Sequence, residues 1–204
     1  RIVRNVEKNF TVRTGAASMS GSKELLYEAF KERLHGFIFF KLSDFLTESE
    51  GKTLFDTYEI SVYDNQKLIA VSFFDRREKS LNSIFCLYAR NYDKYSLGSY
   101  TMIKEIQYGL NNGFEHYYPG HILDTNGCYD FKLGFGDMEF LNKTKGWVKM
   151  EELPTPDPEL EKIESAVNSI ERELALRGIP YIKRINPFYA YGFVQHFSNI
   201  FIKS

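Results

Sequence analysis

Three strand-like runs crowd into residues 57–88: TYEISVY at 57–63, KLIAVSFF at 67–74 and NSIFCLY at 82–88. Asp64-Asn65-Gln66 between the first two is a short hairpin connection. Links this short leave no room for a crossover, so the runs are expected as adjacent strands of one sheet. Upstream, FTVRT (Phe10 to Thr14) alternates as a strand closed by Gly15. Ser22 is expected to cap a helix with Leu25, Leu26, Phe30 and Leu34 on one face and Gly36 past its end, and a shorter helix starts near Ser43. Downstream, Met102, Ile103, Ile106 and Leu110 read as a buried helical face, ended by Asn111-Asn112-Gly113. HYYPGHIL gives a short strand stopped by Pro119 and Gly120. CYDFKLGF is a short helix ended by Gly134, and Met138 to Leu141 is a late strand before Gly146 and Trp147. Hairpin strands followed by strands alternating with helices imply an α/β fold, a mixed sheet with helices on both faces.

Pro154, Pro156 and Pro158 then form a linker, so residues 1–150 are expected as one domain and 151–204 as an appendage. Asp157 caps a helix whose stripe is Leu160, Ile163, Val167, Ile170 and Leu174, ending at Gly178. That stripe suits docking on its own core or a homodimer through 158–177. The aromatic closing segment INPFYAYGFVQHFSNIFIKS is expected to add strand.

The 204 residues are 43% hydrophobic and 16% aromatic, enough for a well-buried core. No run reaches the roughly 20 apolar residues that span a membrane. RIVRNVEKNF lacks both the apolar core of a secretion signal and an initiator Met, the mark of a fragment or processed chain. Cys86 and Cys128 make no disulfide framework and no metal-ligand spacing, so a reduced, cytoplasmic setting and no metal are expected. A net charge of −1 gives no global pull on nucleic acid, so any such contact must be local.

The stretch YSLGSYTMIKEI (95–106) carries a lone glycine, Gly98, between a strand and a helix. Together with FKLGF (131–135) and the element order, it resembles the acetyltransferase-like (GNAT) fold. In that superfamily helix-start amides bind a pyrophosphate through orphan N–H groups and the helix dipole. Its loop reads R/Q-x-x-G-x-G/A; here only Gly98 survives, with Tyr100 at the last place, where it would crowd the phosphates of coenzyme A. A second signature appears as Asn126 followed by Asp130-Phe131-Lys132-Leu133-Gly134-Phe135, with Asp130 where a Tyr often protonates the departing thiolate.

Within that fold, about residues 1 to 150 resemble the C-terminal domain of arginyl- and leucyl-tRNA–protein transferases. Tyr27 with Arg33-Leu34-His35 is similar to that family's Tyr preceding Arg-His, LIAVSFFD (68–75) to L-V-A-V-x-x-x-D, and SLNSIF (80–85) to G-L-S-A-V-Y. Ser96-Leu97-Gly98 and Tyr100 match S-L-G-x-Y, and PGHILDTNGCYDFK lies without a gap on L-G-Y-W-I-x-G-C-x-K-M-x-Y-K, matching Gly120 and Lys132 with Phe131 for the Tyr. The family's Gly-Cys becomes Thr125-Asn126, its Lys-Met becomes Cys128-Tyr129, and its Cys-bearing N-terminal domain is not in this sequence.

The resemblance implies transfer of an amino acid from the 3′ end of an aminoacyl-tRNA to a protein N-terminus, with the aminoacyl-tRNA as co-substrate and no bound cofactor. An ester is already activated, so the enzyme must orient two substrates and deprotonate an amine of pKa near 8. Asp130 and His121 are the candidate bases; the plainer readings are a solvated helix carboxylate and a partly buried strand-end histidine. Ser96, Leu97, Gly98, Ser99, Tyr100, Arg90, Asn126 and Lys132 are the candidate substrate-binding residues. Tyr100 reads as an adenosine-stacking platform or as core, Gly98 with its serines as a ligand site or a cap, and Lys132 as a phosphate contact or a surface lysine. Arg90 steers phosphate or pairs with Asp93, and Cys128 reads as a small buried thiol or one of lowered pKa. The alternatives are an acyl-CoA-dependent N-acyltransferase, with acetyl-CoA as cosubstrate, and a non-catalytic binding module.

Overall fold

The computed structural model describes residues 1–33, 39–46, 55–120, 127–142, 145–152, 158–186 and 197–202. The chain packs as two compact units, residues 1–34 with 38–120 and residues 35–37 with 121–204.

In the first unit, β1 is Thr11–Ala16, and the three expected runs are β2 (Thr57–Asp64), β3 (Lys67–Arg76) and β4 (Ser80–Tyr88). These four are antiparallel neighbours, and β5 (His116–Tyr118) lies parallel to the outer edge of β4, giving the order β1-β2-β3-β4-β5. Asp64 pairs with Lys67, so the hairpin turn is Asn65-Gln66 alone, with Asn65 at φ 54°. Asparagine tolerates that left-handed geometry better than most side chains.

Two register shifts control which side chains reach which face. Val62 pairs with Ala70 but Tyr63 with Leu68, leaving Ile69 as the extra residue. Phe73 pairs with Phe85 but Phe74 with Ser83, leaving Ile84 extra. A bulge puts two successive side chains on one side and resets the alternation. Leu68, Val71 and Phe73 accordingly join Leu26, Tyr27 and Phe30 of α2 (Gly21–Lys31) and Leu42 and Leu46 of α3 (Leu42–Leu46). Ile69 and Ala70 instead join Val6 of α1 (Ile2–Asn9) and Leu97 and Tyr100 of α4 (Leu97–Asn111). The sheet therefore has helices on both faces, and Ile69 to Phe74 are all fully buried. This is the mixed α/β arrangement the sequence implied.

α1 was not expected. Its apolar side, Ile2, Val3 and Val6, packs on the Leu97–Tyr100 cluster, and tertiary packing sustains a helix too short to stand alone. The start of α2 also moves. Ser20, not Ser22, occupies the N-cap position and makes no side-chain cap, its carbonyl accepting the Lys23 and Glu24 amides. Lys23 instead crosses to β2, where its ammonium is 2.5 Å from Glu59 Oε2 with both residues buried.

The buried face of α4 is likewise a correction. Leu110 is 73% exposed, while Leu97, Tyr100, Thr101, Met102, Glu105 and Gly109 face inward. At Gly109 the helix comes so close that an added Cβ would lie 3.0 Å from Leu81 Cδ1.

In the second unit, the short helix expected at CYDFKLGF is a 3-10 helix, Gly127–Phe135. β6 (Glu139–Asn142) and β7 (Gly146–Lys149) form a hairpin, α5 runs Pro158–Leu176, and β8 (Tyr181–Asn186) pairs antiparallel with β9 (Phe197–Ile202). The closing segment thus adds strand, in a sheet of its own. The Asp157 cap lies outside the described residues.

Candidate active site where β4 and β5 part

β4 keeps its parallel partner only through Ser80–Asn82, opposite His116–Tyr118. The ladder with β5 stops at Asn82, and the Ile84 bulge marks the point of divergence. A 3-10 turn, Arg90–Tyr95, then delivers the chain to α4.

Ser96 stands at the head of α4 with φ 53° and ψ 49°, and among the described residues no side chain caps the helix. Left-handed geometry at a non-glycine residue is strained, and such strain clusters at ligand sites. The uncapped first-turn amides and the helix dipole favour a negatively charged or carbonyl oxygen here. Ser96 is exposed and Gly98 and Ser99 are half-buried, so three of the expected residues do come together. A Cβ on Gly98 would meet only Tyr88 Cε1, at 3.6 Å, an ordinary contact. Packing therefore does not require glycine at 98.

Tyr100 and Leu97 are corrections: both have no exposed surface and belong to the core beside Val6 and Val62. The period of the helix turns them under while Ser96 and Ser99 stay out. The Tyr100 ring neither stacks on a nucleoside nor crowds a phosphate. Its hydroxyl has no partner at hydrogen-bond geometry, and burial together with nearby Glu7 holds its pKa well above the ordinary phenol value.

Arg33, two residues past the end of α2, places its guanidinium 4.8 Å from the Tyr88 ring centroid and 5.4 Å from that of Phe30. It also reaches Asp93 Oδ1 at 3.3 Å. Asp93 thus pairs with Arg33 and not with Arg90, which is exposed at the start of the 3-10 turn. Because Tyr88 also touches the Gly98 position, a partly exposed cation stands beside the helix start.

A polar cluster lies beneath α4 at the same parting. The Tyr117 hydroxyl donates to Glu105 Oε2 at 2.8 Å, and the Thr101 hydroxyl lies 3.0 Å from the Gly98 carbonyl and 3.3 Å from Cys86 Sγ. Glu105 and Thr101 have no exposed surface. Although Cys86 keeps some surface, burial of its sulfur pushes the thiol up to about 12, with the Thr101 hydrogen bond opposing and Glu105 adding. Burial, then Glu105, raises Tyr117 far above its ordinary value. These residues were missed from sequence. The signal was Thr101, Glu105 and Gly109, non-apolar residues four apart on one stripe of an otherwise apolar helix.

His121 and Asn126 lie outside the described residues. Asp130 falls in the 3-10 helix of the second unit, and Lys132 of the same helix is buried, not a surface lysine.

Residues 19–142 match the family described as arginine-tRNA-protein transferase, C terminus. That span holds β2 to β5, α2 and α4. Among curated proteins, the aspartate/glutamate leucyltransferase of Helicobacter hepaticus is 30% identical over 84 residues, covering 41% of this chain and 35% of that protein. Its namesake in Campylobacter jejuni is 28% identical over 88 residues, covering 43% and 37%. The aligned stretches thus cover only about a third of these relatives' length. Among solved structures, the ribosomal-protein-S18-alanine N-acetyltransferase of Escherichia coli is 11% identical with a TM-score of 0.47, over 71% of this chain and 99% of that one. The L-PGS of Bacillus licheniformis is 17% identical with a TM-score of 0.45, over 58% and 37%.

Proposed function

Because the chain belongs to the arginine-tRNA-protein transferase C-terminal family, we propose that it moves an amino acid from a charged tRNA to the N-terminal amine of an acceptor protein. The observation that carries this reading is that the matched span contains the whole parting of β4 and β5 together with the uncapped start of α4. The names of the relatives favour leucine as the transferred residue and acidic N-termini as acceptors, with arginine the other candidate.

In the proposed reaction the acceptor amine attacks the aminoacyl ester carbonyl. The new C–N bond forms, the ester C–O bond breaks, and the terminal adenosine leaves as its hydroxyl. The amine loses a proton to a base, which can return it to the departing oxygen. Asp130 and His121 are proposed as that base. The first-turn amides of α4 supply N–H donors for the oxyanion, and Ser96, Gly98 and Ser99 line the approach. Arg33 and Arg90 offer cations for the phosphates of the terminal nucleotides, and Asn126 and Lys132 are proposed as further contacts. Tyr117, held by Glu105, forms the floor.

An acyl-CoA-dependent N-acyltransferase is the second reading, favoured by one observation. Burial of Tyr100 removes the bulk that would have kept a pyrophosphate from this helix start. The test is incubation with a mixed pool of charged tRNAs and a peptide with an acidic N-terminus, read by mass. Gain of one aminoacyl residue supports the proposal. Saturable acetyl-CoA binding with no dependence on charged tRNA favours the second reading, and binding of either without turnover favours a non-catalytic module. Substituting Asp130 and His121 together without loss of transfer removes them as the base.

A reduced, cytoplasmic setting remains part of the proposal: Cys86 is a free thiol, and no helix among the described residues is long and apolar enough to cross a membrane. Pairing of two copies through 158–177 is proposed on Ile170 and Leu176 of α5, 51% and 82% exposed, and is tested by sedimentation.

A further inference from the structure

We infer that the outer face of α1 is a docking surface for the phosphate backbone of RNA. Arg1, Arg4, Asn5 and Lys8 follow the i, i+3, i+4, i+7 spacing of one helix face, and all four are exposed. They line a shared shallow depression. None of the three cations has an ion-pair partner among the described residues, whereas neighbouring Glu7 is already neutralised by Lys104 at 3.0 Å. That pair, with Val6 fully buried, pins α1 to α4 and holds the cations on a fixed support. α1 also packs on the Arg90–Tyr95 turn, which carries exposed Arg90 and Lys94 and leads directly to Ser96. Positive charge therefore continues from α1 toward the head of α4.

The whole chain has a formal charge of −1, so a cationic face is a local feature and not an expression of overall basicity. An amphipathic basic helix can also lie on an anionic membrane, but it then inserts its apolar side. Here that side, Ile2, Val3 and Val6, is spent on the Leu97–Tyr100 core. What remains is charge without a wedge, which suits phosphates. α1 lies ahead of the family-matched residues 19–142. Its identification as RNA-binding rests on the proposed use of charged tRNA.

The test is the triple variant Arg1→Gln/Arg4→Gln/Lys8→Gln. Binding of fluorescent deacylated tRNA and of a blunt RNA duplex is followed by anisotropy across a salt series, beside vesicles rich in phosphatidylserine. Each lost phosphate contact flattens the log–log salt slope by about 0.9, so a decrease of about two to three is expected, with at least tenfold weaker binding at low salt. Where transfer is measured, KM for charged tRNA rises and kcat holds. The far-UV CD melt is expected to stay in place, and Arg4→Glu alone gives a graded version of the same loss. Unchanged affinity and slope overturn the inference, as does a loss confined to vesicle binding. If the unsubstituted chain binds RNA through α1 yet transfers nothing, the proposed function fails and this surface stands. If it transfers and the variant binds RNA equally well, the surface fails alone.

Discussion

Replacing Lys23 by methionine tests the anchoring of α2 most directly. The side chain keeps its length but loses its charge. In the native protein Lys23 Nζ reaches Glu59 Oε2 at 2.5 Å and bonds to the carbonyl and hydroxyl of Ser18, while Glu59 also accepts the Ser18 amide and the Ser61 hydroxyl, each at 3.0 Å. Lys23 is 3% exposed and Glu59 9%, so the variant strands a carboxylate away from water. Breaking a buried pair from one side costs about 3–5 kcal/mol, most of it the uncompensated charge. For a chain of this size that lowers Tm by roughly 6–20 °C. The double variant Lys23→Met/Glu59→Gln has no stranded charge and should recover about 1 kcal/mol or more. Lys79–Glu115 is the control, a 2.6 Å pair with side chains 68% and 54% exposed, where Lys79→Ala should cost no more than about 1 kcal/mol. Urea titration by far-UV CD reads these three variants and Glu59→Gln alone. If Lys23→Met costs as little as Lys79→Ala, or the double variant is worse than the sum of its parts, the reasoning is refuted.

Gly98→Ala separates packing from ligand approach: the fold should hold or gain up to about 1 kcal/mol from helix propensity, while transfer falls at least severalfold. Normal transfer would show that nothing approaches Gly98. Raising pH should destabilise the first unit through Cys86. Its thiol ionises near 9.0 when exposed and near about 12 when folded, so the unfolded state sheds its proton first. Stability is then full below pH 9 and falls by about 1.4 kcal/mol per unit up to about pH 12. In Cys86→Ala the decline should begin only where the tyrosines titrate, seen as a later break in Tm against pH. At the hairpin, Asn65→Val should cost about 1–2 kcal/mol and Asn65→Gly almost nothing, because φ there is 54°; equal melts would contradict the left-handed turn.

The strands were readable because β2, β3 and β4 carry long apolar runs bounded by turn residues, a signal that needs no tertiary information. Which face each side chain occupies was not, since Ile69 and Ile84 reset the alternation through pairing between strands. α1 was hidden for a related reason, its stability coming from Leu97 and Tyr100, distant in sequence. At the candidate site, one motif put Ser96, Gly98 and Ser99 at the head of α4, while Tyr100 was misplaced because a motif gives spacing and not orientation. Arg33 was noticed only as part of a resemblance, and of the two readings of Arg90, pairing with Asp93 is the one the structure gives to Arg33 instead. Glu105 and Tyr117 needed the fold itself, which brings a helix carboxyl and a strand phenol within 2.8 Å.

The ladder between β4 and β5 is the shortest in the five-stranded sheet, with only Ser80, Leu81 and Asn82 engaged. Its rupture would free one outer strand and leave the antiparallel meander standing, so this margin can detach at a small fraction of the cost of global unfolding. Against it sits the carboxyl of Glu105, which accepts the Tyr117 hydroxyl at 2.8 Å. A fully buried carboxyl, Glu105, thus takes its phenol partner, Tyr117, from the strand with the shortest ladder of the sheet.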